Sequence, residues 1–230
     1  MANGTLSAAR SLVYTIQEAL QSVEQRIRQH AYLHALEDGS IEPARLRCFV
    51  GEQCYIIPGD LRSIALLISR CEQLDSQQFF RDVLQGEGAA LDALEQLATA
   101  VGMSPADCAA YEPAPGTQAY SAYLAYLCLY STDAEVAAAL SVNFAAWGAN
   151  CGRMAKALRR RFGMQEADLR FFSQFAAAPP EVGPQALALI SAGLQRGVEP
   201  RRMVRAARML QGYELLFWDT VYALSTAAAE

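Results

Sequence analysis

The chain has 230 residues, of which 53% are hydrophobic and 19% charged, and its formal net charge is −5. This length and composition are typical of one globular domain over residues 1–230, and they exclude a mainly disordered chain. Acidic residues outnumber basic ones by 24 to 19. A general polyanion binder needs a clustered basic face, so we predict no nucleic-acid partner.

The cysteine pattern predicts free thiols. No two of the six cysteines form a CxxC pair, and none has a histidine at metal-ligand spacing, so we predict no metal site and no cofactor. The first 30 residues are too polar for a signal peptide, and the uncharged stretch 136–152 is too short for a membrane span. We therefore expect a cytoplasmic protein with no membrane partner.

Helical periodicity dominates the chain, and no segment alternates as a strand does. The predicted helices are 6–37, 43–72, 76–101, a short one from Ser104, 117–131, 133–162, 166–177, 181–196 and 200–226. Gly39 suits a left-handed C-cap, and Pro58 predicts a kink or break. Asp75 is the predicted cap of the third helix, and the segment from Thr132 to Glu135 is typical of a capping box. The pair Pro179-Pro180 predicts a helix break.

Two of these helices carry almost no charge on any face. Residues 117–131 and 133–152 are therefore predicted to be buried on all sides and to form the centre of a helical bundle. The basic end of the second one, residues 153–161, is predicted to be a solvated C-terminal turn that complements the helix dipole.

Polar residues at apolar positions of buried helices are the candidates for chemistry. Asn143 and Trp147 share one helix face. Glu214 precedes an apolar run, so its pKa is predicted to rise if it is buried. Glu52 and Cys54 lie among apolar residues of the second helix.

Three segments resemble the TenA family. The first runs from His30 through Asp38-Gly-Ser-Ile to Glu52-Gln-Cys-Tyr55; the second, 140–148, is similar to the family's "LPCFWSY" helix; the third, 213–222, is similar to its "E..FW..AY" segment. They occur in family order over nearly the whole chain. The resemblance implies an all-α, haem-oxygenase-like (TenA-like) bundle with a central pocket, assembled as a homo-oligomer, either a dimer or a tetramer.

The resemblance to thiaminase II, an aminopyrimidine aminohydrolase, is incomplete at the site. The family's nucleophilic cysteine matches Asn143, whose amide is no nucleophile. A family tyrosine matches Trp147, and another matches Ile57. The aspartate that grips the aminopyrimidine matches Cys54, whereas the acid/base glutamate is kept as Glu214.

The first functional hypothesis is a small-molecule-binding TenA-like protein with an altered pocket, related to thiamin metabolism. Its ligand is expected to be flat and aromatic or heterocyclic, with Glu214 as the buried acid. The expected stacking and neutral contacts come from Tyr55, Trp147, Phe217, Ile57, Asn143 and Cys54, with Glu52 as a further pocket residue.

Whether the chain is an enzyme stays open. The alternative is a cofactor-free hydrolase of an aminopyrimidine or amide substrate, with Glu214 as acid/base and water or Cys54 as nucleophile. A weaker alternative is a metal-dependent oxidase, implied by resemblance to CADD-like oxidases and pyrroloquinoline-quinone synthase. The positions where that branch has histidine ligands hold Gly59, Leu210 and Phe217. His30 and His34 are interpreted as helix-surface or turn residues.

Overall fold

The computed structural model describes residues 2–177 and 182–227, and these contain ten α-helices, one 3-10 helix and no strand. The helices are α1 (Ala2–Arg28), α2 (Ala31–Asp38), α3 (Leu46–Arg70), α4 (Leu74–Ala100), α5 (Pro105–Ala110), α6 (Pro115–Tyr130), α7 (Asp133–Phe162), α8 (Arg170–Ala176), α9 (Val182–Gln195) and α10 (Pro200–Thr226), with the 3-10 helix at Pro43–Arg45. The predicted break at Pro179-Pro180 lies outside the described residues.

Local sequence signals set several helix ends. Thr132 and Glu135 form the predicted capping box at the start of α7, in which each side chain accepts a hydrogen bond from the other residue's backbone N–H. Ser104 and Asp107 form a second box on α5. Gly39 has φ 88°, so the predicted left-handed C-cap of α2 is confirmed.

The predicted helix 6–37 is wrong as a single element, because it is interrupted at His30. The backbone of this residue is extended, with φ −64° and ψ 141°. Its Nδ1 accepts a hydrogen bond from the Tyr32 N–H across 3.2 Å and so caps α2. A histidine cap is not among the common N-cap signals, and the apolar period continues across the break.

Two further predictions about helix ends need correction. α3 runs through Pro58 without a break, because its packing between α4 and α6 holds the helix despite the missing N–H. The N-cap of α4 is Gln73 and not Asp75. Asp75 lies instead in the first turn, where its negative charge complements the helix dipole.

The long helix α7 is central in the packing, as its uncharged first half predicts. It contacts α1, α2, α8, α9 and α10. Its basic end is exposed at Arg159 and Arg160, as predicted. Arg153 differs: its guanidinium donates to both carboxylate oxygens of Glu37, each across 2.7 Å, and so ties α7 to α2.

The prediction that α6 is buried on all sides is wrong. This helix packs on α3 and α10 and leaves an outer face of aromatic residues, where Tyr126 is 53% exposed and Tyr130 is 69% exposed. Tyrosine carries an apolar ring and a polar hydroxyl, so an uncharged helix rich in tyrosine does not require burial on every face.

An aromatic cluster fills the core where α3, α7, α8 and α10 meet. Phe49, Phe171, Phe172 and Trp218 are fully buried there, and their ring centroids lie 5.2–6.4 Å apart where they pack in contact. Each such ring contributes roughly 2–3 kcal/mol through burial. The cluster is the rigid wall behind the candidate site.

In the described part of the chain, no helix combines the length and apolarity that a membrane crossing needs.

Candidate functional site

A small cavity, here called the inner cavity, lies among α3, α4, α6, α7, α8 and α10, with a volume of about 40 Å³. Its lining residues are Gln53, Ile56, Ile57, Asp60, Glu87, Tyr120, Asn143, Phe144, Trp147, Phe175, Glu214 and Phe217. The structure therefore brings together five predicted site residues from three helices, namely Ile57, Asn143, Trp147, Glu214 and Phe217.

The face that α3 presents to the inner cavity follows helical spacing. Gln53, Ile56, Ile57 and Asp60 recur at i, i+3, i+4 and i+7 and line it together. One residue along a helix turns a side chain by about 100°. Cys54 therefore lies off this face, and the polar α3 residue at this turn of the cavity is Gln53.

The structure does not place Tyr55 at the cavity. Its side chain is 59% exposed on the outer side of α3, so the expected stacking role is corrected. Cys54 is half-buried against the core and is not among the lining residues. Burial and the neighbouring Cys108 thiol both raise the pKa of Cys54, which disfavours the thiolate that a nucleophile requires.

Glu52 is fully buried but faces the segment between α5 and α6 instead of the cavity. Its carboxylate accepts hydrogen bonds from the Tyr111 hydroxyl and the Ala114 N–H, each across 3.0 Å, and from the Thr117 hydroxyl. The expectation of a pocket role for Glu52 is therefore corrected: this carboxylate anchors the start of α6. Sequence reasoning places it on α3 but does not give its direction.

Asn143 and Glu214 form the polar centre of the inner cavity. The Asn143 amide nitrogen donates to Glu214 Oε2 across 2.6 Å, and the Trp218 indole N–H donates to Oε1 across 3.2 Å. Both residues are at least 97% buried. Desolvation by burial, against the Trp218 hydrogen bond, raises the pKa of Glu214 to about 8. At neutral pH this carboxyl therefore holds a proton most of the time.

The amide of Asn143 is fixed by two further hydrogen bonds. Its oxygen accepts from the Tyr120 hydroxyl across 2.8 Å, and its nitrogen also donates to Gln211 Oε1 across 3.0 Å. The Gln211 amide in turn donates to Glu24 on α1. This chain of hydrogen bonds joins α1, α6, α7 and α10 around the cavity and fixes the orientation of the Asn143 amide.

Two acidic residues that sequence reasoning missed also line the cavity. Asp60 is 4% exposed and accepts from the Ser121 hydroxyl across 2.5 Å. Burial raises the pKa of Asp60 to about 7. On α4, burial and the nearby Asp60 charge raise the pKa of Glu87 to about 8. Asp60 could have been found from its helical spacing to Gln53. Glu87 has no such signal, since α4 carries charges along its length and none of them stands out.

Trp147 and Phe217 form the aromatic side of the inner cavity. The Trp147 ring packs edge-to-face on Phe217 and Phe175, with centroids 5.7 and 5.8 Å apart, and is stacked with Phe49 at 6.1 Å. Trp147 is partly buried and Phe217 is 2% exposed. Ile57 adds an apolar contact at the α3 side.

A larger space, here called the outer chamber, adjoins the inner cavity. It has a volume of about 590 Å³ and lies among α4, α7, α8 and α9. Four residues, Glu87, Phe144, Trp147 and Phe175, line both spaces. The other lining residues of the outer chamber are Phe79, Asp82, Val83, Gln85, Gly86, Ala89, Gln174, Ala177, Val182 and Gln185.

Neither histidine lines these spaces. His30 lies in the turn between α1 and α2, as one of its two interpretations has it, but it is 7% exposed and so is not a surface residue. Its Nε2 donates to Asp219 Oδ1 across 3.0 Å while Nδ1 caps α2. His34 is exposed beside Glu37. Among residues 2–177 and 182–227, no group of three or more histidine, cysteine, aspartate or glutamate side chains is arranged to hold a metal ion.

Comparisons with known proteins place this geometry in context. Residues 17–224 match the sequence profile of the TENA/THI-4/PQQC family. No curated protein gives a significant sequence match. A TenA homologue from Pyrococcus furiosus has a TM-score of 0.71 at 18% identity, covering 92% of this chain and 100% of its own. A TenA homolog from Pseudomonas syringae has a TM-score of 0.77 at 13% identity, covering 91% of each chain.

A third structure identifies the fold class. A domain of unknown function with a heme oxygenase-like fold, from Shewanella denitrificans, has a TM-score of 0.76 at 14% identity and covers 96% of each chain. The predicted all-α, haem-oxygenase-like bundle is therefore confirmed.

Proposed function

The chain belongs to the TENA/THI-4/PQQC family, and on this basis we propose that it is a TenA-like protein that binds a small, flat aromatic or heterocyclic molecule across the inner cavity and the adjoining outer chamber. In this proposal the site is altered from that of a standard thiaminase II. The observation that carries it is the hydrogen bond from Asn143 to Glu214 across 2.6 Å. At the position where the family has a cysteine nucleophile, this chain has Asn143, whose amide donates to the Glu214 carboxyl.

The lining supports non-covalent recognition. Trp147 and Phe217 offer ring surface, and Ile57 adds apolar contact. Glu214 and the Tyr120 hydroxyl provide hydrogen-bonding groups that Asn143 holds at fixed positions. A pocket that is mainly apolar with a few fixed polar groups is typical of small-molecule sites. No covalent step is needed for this function.

A hydrolase remains the second candidate, because one observation favours it. Burial raises the pKa of Glu214 to about 8, so the residue is protonated at neutral pH and has the state that a general acid requires. Cys54 is withdrawn as the nucleophile, since it lies off the cavity, and a bound water would have to attack. A Glu214→Gln variant that binds ligand normally but loses turnover would establish this alternative.

Ligand binding is tested by a thermal-shift screen of flat aromatic and heterocyclic compounds, including thiamin and aminopyrimidines. We expect at least one compound to raise the Tm of the native protein. The shift should be lost in Trp147→Leu and kept in the control Tyr126→Leu, which alters an exposed ring on α6. A shift that survives Trp147→Leu would contradict this site assignment.

Three coarser proposals accompany this function. The family resemblance supports a homo-oligomer, either a dimer or a tetramer, which light scattering after size exclusion would measure. The six free thiols fit a reducing, cytoplasmic location. The acidic net charge of −5 fits a protein with no nucleic-acid partner.

A further inference from the structure

We propose that the ligand carries a protonated amine, which the Asp60–Glu87 carboxyl pair holds in the inner cavity, while its aromatic body lies in the outer chamber. This inference rests on the proposed small-molecule function and deepens it by naming the ligand class, an arylalkylamine. It assigns a binding role to two residues outside the Asn143–Glu214 centre.

The sizes of the two spaces indicate which part of the ligand fits in each. The inner cavity has about 40 Å³, which corresponds to about three water molecules and is too small for an aromatic ring. The outer chamber has about 590 Å³, which is ample for a ring system. A ligand that touches both therefore has a small head in the inner cavity and a larger body outside it.

The two spaces are joined at one set of side chains. Glu87 and Trp147 line both, with Phe144 and Phe175 beside them. A ligand body in the outer chamber packs on aromatic and apolar walls from α4, α7 and α8. Its head then passes Glu87 to reach Asp60, so both carboxyls lie along the path of the head group.

The charge of the lining selects a cation. Asp60 on α3, Glu87 on α4 and Glu214 on α10 are the acidic groups of the inner cavity, and its described lining contains no lysine, arginine or histidine. Tyr120 lines the same cavity, where burial, with added contributions from the three acids, raises the pKa of its hydroxyl. A carboxylate head would meet only acidic groups, whereas an ammonium provides the counter-charge that favours ionisation of Asp60 and Glu87.

An unpartnered polar side chain points to a ligand at the same place. The Gln53 side chain lines the inner cavity and makes no hydrogen bond to another described residue. The Glu87 carboxyl, which is partly exposed, likewise has no hydrogen-bond partner among them. Both groups therefore keep free hydrogen-bonding capacity at the cavity, whereas most polar groups inside folded proteins are paired. The Gln53 amide oxygen and the two carboxyls together offer an ammonium the acceptors that its three N–H groups need.

The experiment compares three probes of the same shape, namely phenethylamine, 2-phenylethanol and 3-phenylpropionate, by isothermal titration of the full chain at pH 8. We expect phenethylamine to bind at least about tenfold more tightly than the alcohol, and the propionate not to bind. Equal affinity for the amine and the alcohol would overturn the amine assignment. If the amine and the alcohol bind equally and both lose their binding in Trp147→Leu, the proposed small-molecule function stands without the amine assignment.

Single variants locate the head group. Glu87→Gln and Asp60→Asn should each remove most of the preference for amine over alcohol. The matched control is Glu95→Gln, an exposed carboxyl on α4, which should leave that preference unchanged. An amine preference retained in both Glu87→Gln and Asp60→Asn overturns the proposal. If none of the three probes binds the native protein, this inference is contradicted, and so is the expectation that a ligand with a single phenyl-sized ring fits the site.

Discussion

The side-chain nitrogen of Asn143 lies 2.6 Å from Glu214 Oε2, and this hydrogen bond joins α7 to α10 at the centre of the inner cavity. Asn143 also donates to Gln211 and accepts from Tyr120, so its amide is held from several directions. The position that the family resemblance assigns to a nucleophile is thus occupied by a group whose hydrogen bonds are already used. This is the physical basis for interpreting the site as one that binds.

Replacing Asn143 by aspartate tests that hydrogen bond. Asn143→Asp places a second carboxyl beside Glu214, and two like charges at this distance oppose ionisation of both. We expect a loss of about 2–3 kcal/mol in the free energy of unfolding at pH 9, and a smaller loss at pH 5, where protons are available. Urea unfolding at the two pH values measures it. Asn143→Leu is the comparison, since it loses the hydrogen bonds without adding charge; a pH-independent loss in Asn143→Asp would contradict the account.

The buried carboxyls predict a pH-dependent stability. The pKa of Asp60 is about 7 in the folded chain, whereas 3.8 is its ordinary value, so the native state binds more protons than the unfolded state between those limits. The contribution of Asp60 is therefore full below about pH 4 and is lost as the pH rises to about 7, at roughly 1.4 kcal/mol per pH unit. Asp60→Asn should remove the part of the pH dependence that Asp60 contributes, and leave the parts contributed by Glu87 and Glu214.

The control for that measurement is Asp92→Asn, an exposed residue of α4. It should follow the native protein at every pH. If Asp60→Asn follows the native pH dependence as well, the protonation assigned to Asp60 is wrong.

Glu52 is predicted to be a structural residue. In Glu52→Ala, the Tyr111 hydroxyl, the Ala114 N–H and the Thr117 hydroxyl lose their shared acceptor in a buried place. We expect a loss of about 3 kcal/mol in the free energy of unfolding and faster proteolytic cleavage near residues 111–116. Glu42→Ala, an exposed carboxyl ahead of α3, should be neutral. Unchanged stability in Glu52→Ala would refute the anchoring role.

The two histidines are predicted to differ sharply in how much each contributes to the free energy of unfolding. His30→Ala removes the N-cap of α2 and the hydrogen bond to Asp219, so we expect a loss of about 2 kcal/mol. His34→Ala affects only an exposed contact to Glu37 and should cost less than about 0.5 kcal/mol. Thermal or urea unfolding of both variants checks this. Similar losses for the two would show that the cap contributes little.

The sequence predicted the helical class and most helix limits, because capping boxes and apolar periods are local signals. The absence of charge predicted burial correctly for most of residues 133–152 of α7, where Ala145 and Ala149 are nevertheless exposed, but not for α6, where tyrosine rings tolerate solvent. Local signals do not orient a helix, so Cys54 was matched to the site although Gln53, one residue earlier, faces the cavity. The pairing of Asp60 with Glu87 depends on the packing of α3 against α4, which no local pattern reports.

The measurement that tests the central claim most directly is native mass spectrometry of freshly purified protein, with absorbance and metal analysis of the same sample. The account predicts that the folded chain binds a flat organic molecule at the inner cavity and outer chamber, either carried through purification or taken up from added arylalkylamine. This binding should be lost in Trp147→Leu. Stoichiometric iron, with no organic ligand and no uptake of the amine, would contradict the account and would make Glu214 a candidate metal ligand.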